Sequence, residues 1–345
     1  MIDLVVIPLI KIIIVLAAVL VTVMYLVLLE RKVQAWVQVR LGPMRVGPHG
    51  TLQPIADVLK LFVKEDITPV RADKWVFTAA PIIVLVPAII AFAVIPFGDS
   101  VNIFGKPVLL RIADLNIGLL YIVAVASIGI YGIILGGWSS NSKYPLLGAL
   151  RSSAQLISYE VAVTLTFVSI ILAAGSLSMV DIIAAQKANG VWFAFVQPVA
   201  LFIYAVGALA ETNRSPFDLP EAEQELVAGF HTEYSGMRFA LFFLAEYANM
   251  IVVSAIATTL FFGGWLRPFP NVEILRFLDY VPSWAWFTIK TFLVLYVFLW
   301  IRATLPRYRY DQLMKLGWKF LIPLAIVNIL VTAAVKVVLS YWKVV

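Results

Sequence analysis

The sequence predicts an all-α integral membrane protein with eight transmembrane helices and both termini on the outer, periplasmic side. Three observations support this fold class. First, 62% of the 345 residues are hydrophobic and 13% are charged, with a mean hydropathy of +0.96. A typical soluble domain is about 45–50% apolar and about 25% charged. Second, eight apolar stretches are long enough to cross a bilayer. Third, the positive charges lie mainly in alternate connections between those stretches.

Each predicted span holds the roughly 20 mostly apolar residues that a helix needs to cross the hydrocarbon core. The first is too long for the apolar core of a signal peptide, and no small-residue cleavage site follows it. The sequence also has no internal repeat of the kind found in many secondary transporters. We therefore expect a single membrane domain, 1–345. The predicted spans are Leu4–Leu29, Trp75–Phe97, Leu115–Gly136, Gln155–Ala174, Trp192–Glu211, Arg238–Phe262, Trp284–Ile301 and Phe320–Trp342.

Lysine and arginine residues set the predicted orientation, because connections rich in them stay in the cytoplasm. Seventeen lie in the connections on one side, the predicted cytoplasmic side, and six lie on the outer side. Three more, Lys11, Lys290 and Lys336, lie inside spans, and we expect each to extend its ammonium group to the outer interface. The net charge of +6 and the pI of about 9.4 mainly reflect this bias, not nucleic-acid binding.

The composition also limits the chemistry of the chain. It contains no cysteine and two histidines, His49 and His231. Disulfides, cysteine zinc sites and iron–sulfur ligation are therefore excluded, and a bis-histidine haem would use both histidines. We expect this chain to bind no metal and no redox cofactor of its own.

Three glutamates are predicted within or at the end of spans, all near the cytoplasmic side. Glu160 lies one to two turns into the fourth span and Glu211 ends the fifth. Glu246 lies eight residues beyond Arg238, roughly 12 Å deep at 1.5 Å per residue. Because ionisable groups inside a membrane are costly, these residues are functional candidates. Alternatively, each carboxylate only accepts a hydrogen bond from a neighbouring Ser, Thr or Arg.

The fifth connection, 212–237, places a row of acidic residues beside these glutamates. Pro220 suits the first turn of a short helix, where the helix dipole favours acids. Glu221 and Glu225 are four residues apart and share one face, so the pKa of at least one should rise and the two should titrate as a unit. Such a row can hold and pass protons. A solvated acidic loop explains the composition equally well.

The first connection, 30–74, contains an irregular loop followed by an amphipathic helix. The loop, 41–50, has three glycines and two prolines. Over 51–65, Gln53, Asp57, Lys60 and Lys64 recur at helical spacing, and Thr51 is the predicted cap. This pattern is typical of a helix that lies in the membrane interface. Two interpretations remain open. The helix is a plain interfacial helix, or it frames the entry for a lipid-soluble substrate.

Four stretches resemble one family, the H-type membrane subunit of type I NADH:quinone oxidoreductase, respiratory complex I. The run ETNRSPFDLPEAEQELV is long and specific, and the four stretches cover all the cytoplasmic connections. Membrane subunits of energy-converting hydrogenases share the eight-span plan, but FDLPEAEQELVAGFHTEYSGM is more similar to the quinone-reducing branch. The stretches are LERKVQAWVQVRLGPMRVGPHGTLQPIADVLKLFVKE, RSSAQLISYEVA, ALAETNRSPFDLPEAEQELVAGFHTEYSGMRFALFFLAEY and WIRATLPRYRYDQLMKLGWK.

The resemblance implies a subunit of a proton-translocating NADH:quinone oxidoreductase in the bacterial inner (plasma) membrane. Quinone would be the substrate, while FMN and iron–sulfur clusters would belong to partner subunits. The partners would be peripheral-arm subunits at the quinone site, small membrane subunits leading to antiporter-like subunits, and membrane lipid, but no nucleic acid. The residues lining or bracing the quinone route would be Arg31, Arg40, Arg45, Asp57 and Arg302. The residues of the proton path would be Glu160, Glu211, Asp218, Glu221, Glu225 and Glu246, with Glu223 and Glu233 beside it.

Two further functions remain open from the sequence. A stand-alone ion or solute transporter could use the same carboxylates and should work when purified alone. A purely structural anchor would need these charges for assembly but not for coupling. The missing repeat and the long first and fifth connections, which suit a docking surface, favour a subunit over a transporter.

Overall fold

The protein is described by a computed structural model over residues 6–103, 105–218, 228–269 and 271–344. Within these ranges it is mostly helical, as predicted. Seven helices there are long and apolar enough to cross a membrane, and one further apolar helix is shorter. The short helix predicted after Pro220 lies outside the described residues. The fold class of an α-helical, multi-pass membrane protein is therefore supported.

The long apolar helices are joined by short helices, turns and one β-hairpin. The hairpin pairs Ser100 with Leu109 in antiparallel register and was not predicted. The elements are α1 (Ile7–Val37), α2 (Gln53–Val63), α3 (Lys74–Ile90), β1 (Ser100–Ile103), β2 (Lys106–Leu109), α4 (Gly118–Ser139), α5 (Lys143–Ala174), α6 (Met179–Asn189), α7 (Phe193–Val196), α8 (Pro198–Glu211), α9 (Gly236–Phe261), α10 (Ser283–Thr304), α11 (Tyr310–Lys315) and α12 (Ile322–Val344). Short 3₁₀ helices lie at Pro48–Gly50, Ala91–Ala93, Gly229–His231 and Glu273–Tyr280, and a π-helical turn at Leu316–Leu321 joins α11 to α12.

Two of the helices extend well beyond the predicted apolar spans, in both cases at the predicted cytoplasmic side. Helix α1 continues past Leu29 to Val37, and α5 begins at Lys143 instead of Gln155. Hydropathy indicates where a helix can contact lipid, whereas helical hydrogen bonding continues through polar residues that favour a helix. The polar residues in these extensions therefore lie on helices and not in loops.

The predicted fifth span, Trp192–Glu211, is interrupted. Helix α7 ends just before Gln197, which has a non-helical backbone, and α8 begins at Pro198. Proline has no N–H to donate and suits the first turn of a helix better than its interior. Oε1 of Gln197 accepts a hydrogen bond from Nδ2 of Asn328 at 3.0 Å. A polar side chain thus occupies the break, as an apolar surrounding requires.

The amphipathic helix α2 is shorter than the predicted 51–65, and Thr51 does not cap it. Its N-cap residue is Leu52, which makes no capping hydrogen bond through its side chain. Thr51 instead ends the 3₁₀ turn before it. Pro54 lies in the first turn of α2, where its missing N–H removes one group that a cap would satisfy.

Helices α3, α4, α5, α8 and α9 surround the centre of the bundle. Helices α3 and α4 approach closely at Gly132, where an added Cβ would lie 2.4 Å from Cγ2 of Val84. Small residues permit such approaches between membrane helices. Helix α9 is central, since every residue from Met250 to Phe261 is buried. Glu246, one turn before Met250, therefore lies inside the protein and not at the lipid surface.

Candidate functional site

The main candidate site is a cluster of four charged side chains, which we call the charge quartet. It comprises Glu30 of α1, Glu246 of α9, Arg302 of α10 and Arg214 of the turn after α8. Glu30 is only 5% exposed and Arg214 only 3%. Because an unpaired buried charge is costly, two acids and two arginines in contact offset one another's charge.

Glu30 is the centre of the quartet. Its carboxylate forms an ion pair with the guanidinium of Arg302 and accepts a hydrogen bond from the Tyr247 hydroxyl at 2.6 Å. Its Oε1 lies 3.9 Å from Nη1 of Arg214 and accepts from Nε2 of Gln34 at 3.4 Å. Two cations and two neutral donors therefore converge on one carboxylate.

Arg214 joins Glu30 to Glu246. Its Nη2 donates to Oε2 of Glu246 at 3.4 Å. The guanidinium carbon lies 4.3 Å from the ring centre of Tyr247 and 5.6 Å from that of Phe243. A guanidinium is planar and can contact two carboxylates while its face lies on an aromatic ring, which an ammonium group cannot do. Arg214 is therefore suited to bridge the two acids.

The turn that carries Arg214, residues 212–218, is packed inside the protein. Nε2 of Gln155 on α5 donates to the carbonyl oxygens of Ala210 at 2.8 Å and of Phe217 at 2.9 Å. These bonds hold the two ends of the turn against α5. This part of the fifth connection is therefore buried, whereas most of the acidic row, for which a solvated loop is the alternative, lies outside the described residues.

Two cavities that share lining residues extend from the quartet into the bundle. The first, of about 50 Å³, is lined by Glu246, Glu211 and Glu160, among others. The second, of about 40 Å³, shares Glu211, Glu160 and Asn249 with the first and reaches Tyr204. Seven residues separate Tyr204 from Glu211 along α8, which corresponds to about 10 Å of depth. Each cavity has room for a few water molecules, which could hydrogen-bond between the carboxylates.

The carboxylates in the cavities also have protein partners. Glu160 accepts a hydrogen bond from the hydroxyl of Ser127 on α4, and Glu246 contacts Arg214 as described. The alternative that intramembrane carboxylates are satisfied by Ser or Arg therefore holds for these two. The same two side chains nevertheless line the first cavity. Each carboxylate therefore has a protein partner and also faces a space that can hold water.

The structure places the predicted proton-path residues in four different ways. Oδ2 of Asp218 is buried and lies 3.0 Å from Nη2 of Arg307. Glu233 is half-buried after the 3₁₀ turn at 229–231 and lines neither cavity. Three of the predicted residues line the cavities: Glu160, Glu211 and Glu246. Three others lie outside the described residues: Glu221, Glu223 and Glu225.

The five residues predicted for the quinone route do not form one cluster. Nη1 of Arg31 lies 2.7 Å from Oδ2 of Asp57, and this pair joins α1 to α2. Arg31 directly follows Glu30 in α1, and Arg302 is itself a member of the charge quartet. Arg40 and Arg45 are exposed in the connection between α1 and α2. The structure therefore brings three of the five to the junction of α1, α2 and α10.

The sequence pattern did not identify Glu30, Arg214 or Tyr247 as site residues. Glu30 was regarded as the boundary of a span because α1 was expected to end at Leu29. A usable signal was present, since Glu30 lies four residues after Leu26 and three before Val33, on the buried face of a longer helix. Arg214 lies in an irregular turn, where no periodic pattern exists to reveal burial.

Two titratable groups beside the site remain neutral near pH 7. Burial lowers the pKa of His231 to about 4, against the opposite effect of the charge on Asp218. Burial also raises the pKa of Tyr234 to about 12. The imidazole contacts two phenylalanine rings, with centroid distances of 4.9 Å to Phe230 and 5.3 Å to Phe239. In both cases burial moves the pKa away from neutral pH.

A second buried charge lies at the opposite end of the bundle, on the predicted outer side. Lys290 of α10 donates to the carbonyl oxygens of Phe262, Gly264 and Leu266 at 2.7, 3.1 and 2.5 Å. We call this the carbonyl site. Its ammonium nitrogen also lies 5.0 Å from the ring centre of Trp192. The ammonium group binds carbonyls beyond the end of α9 that the helix leaves unpaired. Its extension to the interface stays a prediction.

The chemistry available to the main site follows from its groups. It combines carboxylates, guanidinium groups and cavities for water, and the described residues include no group of three His, Asp or Glu side chains suited to a metal ion. Protonation of one carboxylate changes the charge of the quartet by one unit. Two unit charges 10 Å apart interact by about 1.7 kcal/mol at an effective dielectric constant of 20, so neighbouring carboxylates respond to such a change.

Comparisons with known proteins identify one family over nearly the whole chain. A family model described as NADH dehydrogenase matches residues 10–333, which include all four quartet residues. The chain is 56% identical over 336 residues to H subunit 1 of the NADH-quinone oxidoreductase of Geobacter sulfurreducens, covering 94% of this chain and 93% of that protein. It is 54% identical over 336 residues to H subunit 2 of the NADH-quinone oxidoreductase of Geobacter metallireducens, covering 94% of each.

Proposed function

Because the chain belongs to the NADH dehydrogenase family, together with the H subunits of NADH-quinone oxidoreductase, we propose that it couples quinone reduction to proton translocation in such a complex. The family identified from the sequence stretches is confirmed. The relatives are subunits of an enzyme complex, which favours assembly with partner subunits over a stand-alone transporter. In this proposal, FMN and iron–sulfur clusters of the partners deliver the electrons, and the chain itself holds neither.

The proposed arrangement in the membrane has eight crossings. The interrupted pair α7 and α8 forms the fifth crossing, and both termini lie on the outer side. The excess of cations in the connections that follow α1, α4, α8 and α10 supports this orientation. The proposed location is the inner membrane of a bacterium.

Quinone is proposed to approach from the membrane at the junction of α1, α2 and α10. Helix α2 is amphipathic, and the Arg31–Asp57 pair holds it to α1. Arg302, at the end of α10, forms an ion pair with Glu30 at that junction. The exposed Arg40 and Arg45 are positioned to meet the peripheral-arm subunits. A quinone head group that gains charge on reduction would therefore act on Arg302 and Glu30.

The observation that carries the proposal is an unbroken series of contacts from this junction to the cavities. Arg302 contacts Glu30, Arg214 contacts both Glu30 and Glu246, and Glu246 lines the first cavity. A charge that draws Arg302 away from Glu30 strengthens the contact of Glu30 with Arg214. Arg214 then interacts less with Glu246, which favours uptake of a proton by that carboxylate. Water and the carboxylates of Glu211 and Glu160 pass the proton onward.

The alternatives are less well supported. A purely structural anchor has no need for carboxylates that line water-sized cavities 10 Å or so inside a bundle. A subunit of an energy-converting hydrogenase would use a similar bundle, but the relatives carry the name of the quinone-reducing enzyme. Coupling to quinone reduction remains the proposal that uses all the described features.

The test uses Glu211→Gln and Glu246→Gln in the assembled complex, with the exposed Glu65→Gln as a matched control. NADH:quinone turnover and proton pumping are measured together in sealed membrane vesicles. We expect both cavity variants to assemble and to lose turnover and pumping by about 10-fold or more, because a positioned acid–base group has been removed. Glu65→Gln should retain both activities. Full pumping stoichiometry in assembled Glu211→Gln and Glu246→Gln complexes would remove the basis of the proposal.

A further inference from the structure

A second surface feature lies at the predicted cytoplasmic ends of α3, α4 and α5, away from the quartet. The backbone N–H of Asp73 donates to the carbonyl oxygen of Ser139 at 3.2 Å. Nδ2 of Asn141 donates to the carbonyl oxygen of Arg71 at 3.2 Å. These two hydrogen bonds join the start of α3 to the turn between α4 and α5. We call this region the α3–α5 junction, residues 71–76 and 138–144.

The junction presents three cations and three aromatic rings on its surface. The only acid within these residues is Asp73, whose carboxylate accepts hydrogen bonds from the backbone N–H groups of Trp75 and Val76 as the N-cap of α3. The ion pairs found among the described residues do not include the three cations. The exposed cations are Arg71, Lys74 and Lys143. The aromatic residues are Trp75, Trp138 and Tyr144, which are 89%, 58% and 55% exposed.

An exposed apolar surface continues from the junction toward the middle of the membrane. On α3, Ile82 and Val86 are exposed and follow Trp75 at helical spacing, so they share one face with it. On α4, Ile128 and Tyr131 are exposed on the stretch that leads to the junction. Trp and Tyr side chains of membrane proteins concentrate at the level of the lipid head groups. The three cations therefore lie at that level, next to an apolar surface.

We propose that the α3–α5 junction binds an anionic phospholipid. Its phosphate contacts Arg71, Lys74 and Lys143, and its acyl chains lie along the exposed faces of α3 and α4. The cations suit the lipid head group for two reasons. Clustered cations at a membrane surface attract anionic lipids, and a guanidinium group can bind two phosphate oxygens at once. A soluble phosphate compound would use the cations but would leave the apolar surface uncovered. The site is independent of the proposed proton path.

The test compares the assembled complex with a triple variant, Arg71→Gln, Lys74→Gln and Lys143→Gln. A matched control removes three exposed cations elsewhere, Lys187→Gln, Arg309→Gln and Lys315→Gln. Each complex is placed in phosphatidylcholine nanodiscs with increasing phosphatidylglycerol, and the lipid retained after detergent extraction is counted by mass spectrometry. We expect the triple variant to bind phosphatidylglycerol about 10- to 100-fold more weakly, since each cation near an anionic surface contributes about fivefold. The control should retain wild-type binding.

Four outcomes would overturn the proposal. An equal loss of phosphatidylglycerol binding in the control variant would show a general effect of surface charge. Equal retention of phosphatidylcholine and phosphatidylglycerol by wild type would show that charge is not recognised. If a neighbouring subunit covers the junction, the wild-type complex will retain no such lipid there, and the triple variant will lose that subunit instead. Excess inorganic phosphate should not displace the lipid, and displacement would indicate a phosphate site and not a lipid site.

Discussion

The charge quartet and the carbonyl site, two buried charged sites among the described residues, are satisfied in opposite ways. In the charge quartet, Glu30 and Glu246 are paired with the side chains of Arg214 and Arg302. In the carbonyl site, Lys290 is bound by three backbone carbonyl oxygens of one turn. The first site lies next to cavities that can hold water, while neither cavity is lined by Lys290.

This difference separates a site whose partner groups can take up protons from one whose partner groups cannot. The carbonyl oxygens around Lys290 do not titrate, and they belong to the backbone. Side-chain carboxylates can take up protons, and guanidinium groups can shift between partners. We therefore expect substitutions in the quartet to affect coupling, and substitutions in the carbonyl site to affect stability alone.

The largest effect is expected for Arg214→Met. Removing one partner of a buried ion pair leaves a charge uncompensated, which typically costs about 3–5 kcal/mol. The complex should assemble poorly, with a lower thermal unfolding midpoint and little pumping. The exposed Arg309→Met is the control. The double variant Arg214→Met with Glu246→Gln should be more stable than Arg214→Met alone, because the uncompensated carboxylate is then neutral. A normal unfolding midpoint and normal pumping in Arg214→Met would show that the four charges of the quartet do not stabilise one another.

A smaller and different effect is expected for Lys290→Met. Loss of the ammonium group leaves buried carbonyl oxygens without a donor, at a cost of about 2–3 kcal/mol. The unfolding midpoint of the complex should fall, and the number of protons pumped per quinone reduced should stay at the wild-type value. Lys187→Met, at an exposed position, should change neither quantity. A changed pumping ratio in Lys290→Met would contradict the separation of the two sites.

The smallest effect is expected for Tyr247→Phe. It removes the hydrogen bond to Glu30, worth about 1.5 kcal/mol for a charged acceptor, but keeps the ring on which Arg214 lies. The complex should assemble normally and pump with a modestly reduced ratio, measured in the same vesicles. Tyr247→Leu, which also removes the ring, should reduce pumping further. If both variants behaved alike, the hydrogen bond and not the ring would be the important contact.

Much of the fold could be predicted from the sequence, since long apolar stretches specify membrane helices directly. Three carboxylates of the site could also be predicted, because a glutamate within an apolar span is costly and stands out against its neighbours. Glu30 and Arg214 could not, as each lies at a boundary where a charge is ordinary. The partners of Lys290 could not be predicted either, because the sequence does not show which backbone carbonyls are left unpaired. The missing information in each case is the path of the chain beyond a helix end.

The break at Gln197 has a consequence for the outermost helix. Most of α12 faces outward, and apolar contacts give a membrane helix no hydrophobic gain over contact with lipid. Such a helix could rotate about its own axis at little cost. Gln197 contacts Asn328 and Thr332 on α12, with hydrogen bonds of 3.0 and 2.9 Å. Nδ2 of Asn328 also donates to Oγ of Ser169 on α5 at 3.1 Å. The interruption at Gln197 and helix α5 therefore set the rotation of α12 together, and with it the side that α12 presents to whatever surrounds the protein.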